Sequence, residues 1–197
     1  YVSGVEFIGT GYSAAMPSSV NGEYGVKIVG SRVEVDNCKF SLLEHGVIFG
    51  GLTVLNRCII KDNLIYANKG GITAFQNIEY STIINNRIYD GYIGIWLRDE
   101  ANLLISNNTI TYNTVGIRWD GLASNSDHDI VIGNQFNHCD TMAYVLKNNT
   151  SLDFIGNHFM VGKIVMGTTD SVRLHTFNGN GFGSTTFSII NGREINF

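Results

Sequence analysis

Several residue classes are scarce in this sequence, and each scarcity closes off a possibility. There is one proline in 197 residues, and charged side chains make up only 15% of the chain. So little charge argues against long, solvated helices. Three cysteines, Cys38, Cys58 and Cys139, are an odd number and show neither CxxC nor Cys/His ligand spacing. That argues against a disulfide framework and leaves no metal site defined by spacing. A basic excess is also missing: the net charge is −4, so no nucleic-acid partner is expected. No apolar run approaches the roughly 18–20 residues that cross a bilayer as a helix, and no membrane insertion is expected. The first residues, "YVSGVEF", enter a strand-like pattern at once without signal-peptide character. This reads as a piece of a longer chain. What the sequence does have is 44% hydrophobic residues, enough for one substantial core, and 23 glycines. Glycine and asparagine in such numbers point to many tight turns.

Self-similarity organises the rest. The segments "VEVDNCKF", "IIKDNLI", "IINNRI", "LISNNTI", "IVIGNQF", "DFIGNHF" and "HTFNGNGF" repeat one pattern, anchored on Cys38, Asn63, Asn86, Asn108, Asn134, Asn157 and Asn180. Successive anchors are 25, 23, 22, 26, 23 and 23 residues apart. Three positions before them stand Val35, Ile60, Ile83, Ile105, Val131, Phe154 and Phe177; two after stand Phe40, Ile65, Ile88, Ile110, Phe136, Phe159 and Phe182. All are apolar. Eight residues past the first four anchors come Gly46, Gly71, Gly94 and Gly116, followed by "GVIF", "GITA", "GIWL" and "GIRW" when the glycine itself is included; "AYVLK" and "KIVM" continue this series less strictly. Each repeat therefore holds three short strands and several turns, with no helical window between them. Such a unit stacks on itself as a parallel β-helix, and strand twist and crossover preference favour a right-handed winding. The expectation is an all-β, single-stranded parallel β-helix of about eight coils over 1–182, a rod nearly 40 Å long at about 4.8 Å per rung. Residues 183–197 are expected to form a last irregular coil or the start of a following segment.

This repeat resembles the right-handed parallel β-helix family, which includes pectate-lyase-like proteins and bacteriophage tailspikes. In the families it resembles, asparagine ladders at the turns are interior and structural. The anchor asparagines are accordingly expected at two-residue turns that need left-handed backbone, with their amides hydrogen-bonded along the rod. Cys38 and Cys58 read as small buried hydrophobes, and Cys139 as a third candidate for that role. The five histidines share no spacing and are expected mostly at the surface or in turns.

Candidate chemistry lies on the strand after each glycine. Alternation turns Ile95 and Leu97 inward and Trp96 and Arg98 towards solvent. On the next rung Ile117 and Trp119 face in, and Arg118 and Asp120 face out. Two outward columns follow, Thr73–Trp96–Arg118–Val145 and Phe75–Arg98–Asp120–Lys147. Aromatic rings suit the apolar faces of sugars, while Arg and Lys hold carboxylates and hydroxyls. Trp96, Arg98, Arg118, Phe75, Tyr92 and Lys147 are thus the expected substrate-binding residues; a solvated face or a subunit contact is the rival reading. Two long excursions, "GTGYSAAMPSSVNGEYG" and "DGLASNSDHD", are expected to wall the same side.

For catalysis, Asp120 with Glu100 or Asp99 is a possible carboxylate pair across adjacent rungs, as glycoside hydrolysis requires. A lyase would instead use a basic group such as Arg98, Arg118 or Lys147. Asp127 and Asp129 complete the local acids, and no cofactor or metal is called for. The sequence has no "RxPxxR" of pectate lyases, no "NTD…DD…GHG…RIK" series of polygalacturonases and no "DPH" of alginate epimerases. The resemblance implies a tailspike-like protein on a virion tail, homotrimeric, that recognises and cleaves a bacterial surface polysaccharide. Two alternatives stand beside it: a secreted or periplasmic bacterial polysaccharide lyase, hydrolase or epimerase, and a non-catalytic structural or receptor-binding module.

Overall fold

The computed structural model of the chain describes residues 1–10, 23–50, 54–75, 78–98, 100–120, 128–145, 151–167, 175–190 and 195–196. Every regular element among them is a β-strand, and the strands pair in parallel. The chain winds as a parallel β-solenoid of about six turns. The spacing had suggested about eight, a slightly higher count.

Each coil carries three strands, which give the rod three faces. The first face is a nine-stranded sheet running from Val2–Ser3 through Thr82–Ile84 to Ile195–Asn196. The second and third faces, represented by Arg87–Tyr89 and Ile93–Leu97, belong to one 14-stranded sheet. They merge because the strand His158–Gly167 runs straight through the corner that separates them in earlier coils, pairing with both Gln135–Asn137 and Thr141–Val145. A minor three-stranded sheet, Leu55–Asn56, Ile78–Glu79 and Glu100–Ala101, precedes the first face. The tail stacks on the same rod, with Gly181–Ile190 along His158–Gly167 and Ile195–Asn196 along the first face.

The apolar residues flanking the anchors fall into one-to-one register. Val35, Ile60, Ile83, Ile105, Val131, Phe154 and Phe177 stack on the first face. Phe40, Ile65, Ile88, Ile110, Phe136, Phe159 and Phe182 stack on the second. All but the terminal Phe182 are buried. Burying one such side chain contributes about 1.5–3 kcal/mol, and the parallel register repeats that gain at every rung. Towards the C-terminal end isoleucine gives way to phenylalanine, and the rings stack with centroids 4.6 Å apart for Phe154–Phe177 and 4.8 Å for Phe136–Phe159.

At the anchor corner two adjacent residues divide the work. The left-handed backbone belongs to the residue before each anchor: Asn37, Asp62, Asn85 and Asn107 have φ between 49° and 58°, and Gly133, Gly156 and Gly179 occupy the same place later in the chain. The anchors themselves are not left-handed, which corrects the expectation that they supply the turn conformation. Their side chains point inward and form the ladder. Asn86 Oδ1 accepts from Asn63 N at 3.1 Å and Asn63 Nδ2 at 3.0 Å; Asn108 Oδ1 does the same for Asn86 at 2.9 and 3.0 Å. The pattern continues through Asn134 and Asn157 to Asn180. Cys38 ends the ladder, its N–H donating to Asn63 Oδ1 at 2.9 Å.

The glycine column has a separate cause. A Cβ on Gly94 would lie 2.6 Å from the carbonyl oxygen of Gly116, and one on Gly71 would lie 2.4 Å from that of Gly94. Backbone from the next coil fills the space where a side chain would begin.

Candidate functional site

The strands of the third face carry the residues singled out for chemistry. Ile72, Ile95 and Ile117 pair in register and face the core, as do Ala74, Leu97 and Trp119. The intervening residues point outward, and the outward column is Ile48, Thr73, Trp96, Arg118 and Tyr144. Tyr144 stands where Val145 was expected. Val145 pairs with Trp119 and is fully buried in the core. The one-residue shift arises because Met142, not a glycine, lies beside Gly116 in the strand Thr141–Val145, so counting from a glycine fails there.

Outward does not mean solvated here. Trp96 is 6% exposed and Phe75 8%, which corrects the reading of Trp96 as pointing to solvent. They form a small outer cluster with Ile48 and Ile93, against which Tyr92 and Val115 pack. The Phe75 and Trp96 rings meet edge to face, with centroids 4.7 Å apart. His45, buried at the start of its strand, sets its ring edge-on to Phe75 at 5.7 Å and its Nδ1 3.0 Å from Thr73 Oγ1. Two histidines, His45 and His175, are thus interior rather than at the surface.

Charge is laid over this aromatic base. The Trp96 indole N–H donates to Asp120 Oδ1 at 2.7 Å. Arg118 donates from Nε to Asp120 Oδ2 at 2.7 Å, and its Nη2 lies 2.7 Å from the same oxygen. The Arg118 guanidinium is held between two rings, 5.4 Å from the Trp96 centroid and 5.3 Å from that of Tyr144. Arg98 Nε stands 3.9 Å from Asp120 Oδ1, and its guanidinium lies 5.8 Å from the Phe75 centroid. Two N–H groups, one from Trp96 and one from Arg118, therefore hydrogen-bond to the two oxygens of Asp120, with Arg118 Nη2 adding an ion-pair contact. Asp120 here orients Trp96 and Arg118. Arg98 is the open member, with 43% of its side chain exposed against 20% for Arg118 and 14% for Asp120.

The structure brings together Phe75, Tyr92, Trp96, Arg98, Arg118 and Asp120. Among the described residues no acid stands beside Asp120; the neighbour one residue past the Leu97–Trp119 pair on the adjoining coil is Arg98. Glu100 is placed by its backbone, at the start of Glu100–Ala101, while its side chain, Asp99, Asp127 and Lys147 lie outside the described residues, as do 11–22 and 121–127 of the two long excursions. Asp129 is buried in the strand His128–Ile132 and accepts from Leu103 N at 2.8 Å, which gives it a structural part inside the rod. Tyr144 and His45 are the members that counting missed; setting "TMAYV" against "VGIRW" residue for residue recovers Tyr144.

Metal ligation finds little to build on. Among the described residues no group of three or more His, Cys, Asp and Glu side chains stands close enough together to hold a metal ion. Cys38, Cys58 and Cys139 are buried free thiols. Burial pushes the Cys139 thiol up to about 11, away from the thiolate that metals and electrophiles require.

A family model described as "Periplasmic copper-binding protein (NosD)" matches residues 13–193. The chain belongs to the NosD family. No curated protein and no solved structure matches it. The NosD match covers nearly all of the solenoid, including both the ladder and the third-face cluster.

Proposed function

We propose that this NosD-family solenoid is an exported bacterial protein that binds an extended acidic polysaccharide across its third face. The carrying observation is the built arrangement around Arg98: an exposed guanidinium seated over Phe75, beside a second guanidinium fixed by Trp96, Tyr144 and Asp120. Arginine in a fixed orientation suits carboxylates, which it can grip with two parallel N–H groups. Asp120 offsets one of the two positive charges, so the cluster carries about one net positive charge. Rungs at a spacing of about 4.8 Å present such groups along the direction an extended chain would take. The family's description as periplasmic supports a secreted or periplasmic protein over a virion-tail one.

Copper, which the family's description names, is not provided for by the described side chains. Among the described residues no three His, Cys, Asp or Glu side chains meet, and the cysteine thiols are buried. Cleavage of the polysaccharide is the finer reading: hydrolysis needs a second carboxylate beside Asp120, from Glu100 or Asp99, and elimination needs a basic group such as Arg98, Arg118 or Lys147.

Calorimetric titration with polygalacturonate and with alginate tests the proposal. The protein should bind at least one of them, and Arg98→Ala should weaken that binding about tenfold or more, equivalent to about 1.4 kcal/mol. Failure of both polymers to bind, or equal binding by Arg98→Ala, would overturn it. Release of new reducing or unsaturated ends that disappears in Asp120→Asn would establish cleavage as well. A stoichiometric copper complex would move the function to the metal.

A further inference from the structure

The second face carries a different arrangement. Its outward residues include Tyr66 and Tyr89, which pair in register and stack with centroids 5.4 Å apart and planes 10° from parallel. Lys39 caps the far side of the stack, its Nζ 5.6 Å from the Tyr66 centroid. On the next rung the register partner of Tyr89 is Thr111, and after it comes Asn137. The stack therefore stops at Tyr89, although the fold offers the next ring a place one rung on.

That place is an open cavity of about 410 Å³, lined by Arg87, Tyr89, Asp90, Thr109, Thr111 and Tyr112. At the adjoining corner, Tyr112 stacks on His138 at 5.0 Å with planes 17° apart, a second ring pair bordering the same space. Asp90, Tyr112 and His138 all have left-handed backbone, φ 56°, 54° and 50°. Arg87 is exposed and, among the described residues, makes no ion pair.

We propose that the gap after Tyr89 is a binding site for one pyranose ring of a neutral sugar, stacked on Tyr89 where the third ring of the column is missing. A pyranose has an apolar face for a tyrosine and a rim of hydroxyls. Arg87 is placed to donate to those hydroxyls, Asp90 to accept from them, and Thr109 and Thr111 to do either. The single positive and single negative charge cancel, which favours an uncharged sugar over a uronate. One rung, about 4.8 Å, gives the depth of a single stacked ring. This site is on the second face, shares no residue with the Arg98 cluster and does not depend on the polysaccharide reading.

The test is an amide chemical-shift titration of the full chain with methyl glucopyranoside, methyl mannopyranoside and methyl galactopyranoside. At least one should give saturable shifts at residues 87–90 and 109–112. Thr111→Tyr supplies the missing ring, at a position where the two preceding rungs already carry tyrosine. It should keep the fold by circular dichroism and weaken sugar binding at least tenfold. Should Thr111→Tyr not fold, Tyr89→Leu must give the same tenfold loss. Absence of saturable shifts with all three sugars, shifts confined elsewhere, or binding undiminished in the folded Thr111→Tyr protein would overturn the site.

Discussion

Asn85 and Asn86 share a residue type and a peptide bond but not a role, and substitution should separate them sharply. Asn86 is fully buried, and its amide accepts two hydrogen bonds from Asn63 while donating to Ile60 O at 2.9 Å and Asn108 Oδ1 at 3.0 Å. Asn86→Ala strands the Asn63 N–H inside the rod and should cost about 2–4 kcal/mol. Asn85, at φ 58°, needs only a residue content in left-handed backbone. Asn85→Gly, which copies Gly133 and Gly156, should stay within about 0.5 kcal/mol of the parent. Urea denaturation orders the two, and equal losses would refute the division of labour. His175 sets a different residue-scale expectation. It is buried inside the rod, and burial pushes its pKa from 6.5 down to about 4, with the nearby Asp153 carboxylate opposing only in part. The folded state thus favours neutral imidazole, and the unfolded chain binds the proton first on acidification. The stability His175 contributes is complete above pH 6.5 and is lost as pH falls from about 6.5 towards about 4. The loss should approach about 3 kcal/mol. His175→Leu, matching Leu152 one coil earlier in the same column, should flatten that part of the stability–pH curve; an unchanged slope would show that other groups carry it.

Elements were legible in the sequence to the extent that they repeat. The apolar pair around each anchor follows strand alternation on two faces at once, so Ile83 and Ile88 announce two buried strands and the turn between them. The glycine column was visible too, though its reason was not: the carbonyl of Gly116 that excludes a Cβ from Gly94 comes from the next coil and leaves no mark in local sequence. Legibility failed where a position depends on what lies across the rung. Trp96 alternates outward as expected, yet Phe75, Arg118 and the Asp120 carboxylate close over it from the coils on either side. Tyr144 was displaced by one because its strand replaces glycine with Met142. The missing corner in His158–Gly167 had no signal beyond Gly162, whose φ of 139° lets the strand pass the carbonyl of Cys139. The Tyr66–Tyr89 stack was available to anyone aligning second-face strands, but only against Thr111 does its interruption acquire meaning.

At the scale of the whole molecule the solenoid is close to one-dimensional: each coil contacts its two neighbours, and stability is nearly a sum over coils and the interfaces between them. A coil should then be removable if the cut respects the period. Asn86 and Asn108 are 22 residues apart and occupy equivalent places in the ladder. Deleting residues 86–107 joins Asn85 directly to Asn108, so the left-handed residue still precedes an anchor. Asn108 can then accept from Asn63, Ile110 can stack on Ile65, Ile117 on Ile72 and Val131 on Ile83. Gly116 falls opposite Gly71, keeping the close backbone approach. The shortened chain should fold cooperatively with the same far-ultraviolet β-signature. Its denaturant slope should shrink in proportion to the surface lost. Deleting only residues 97–107 instead feeds a third-face strand into the anchor corner. Every inward side chain beyond the junction then meets the wrong neighbour, and that chain should not fold. Circular dichroism with urea melting decides between these outcomes. If the half-coil deletion melts as cooperatively as the full-coil one, register between coils is not what holds this rod together.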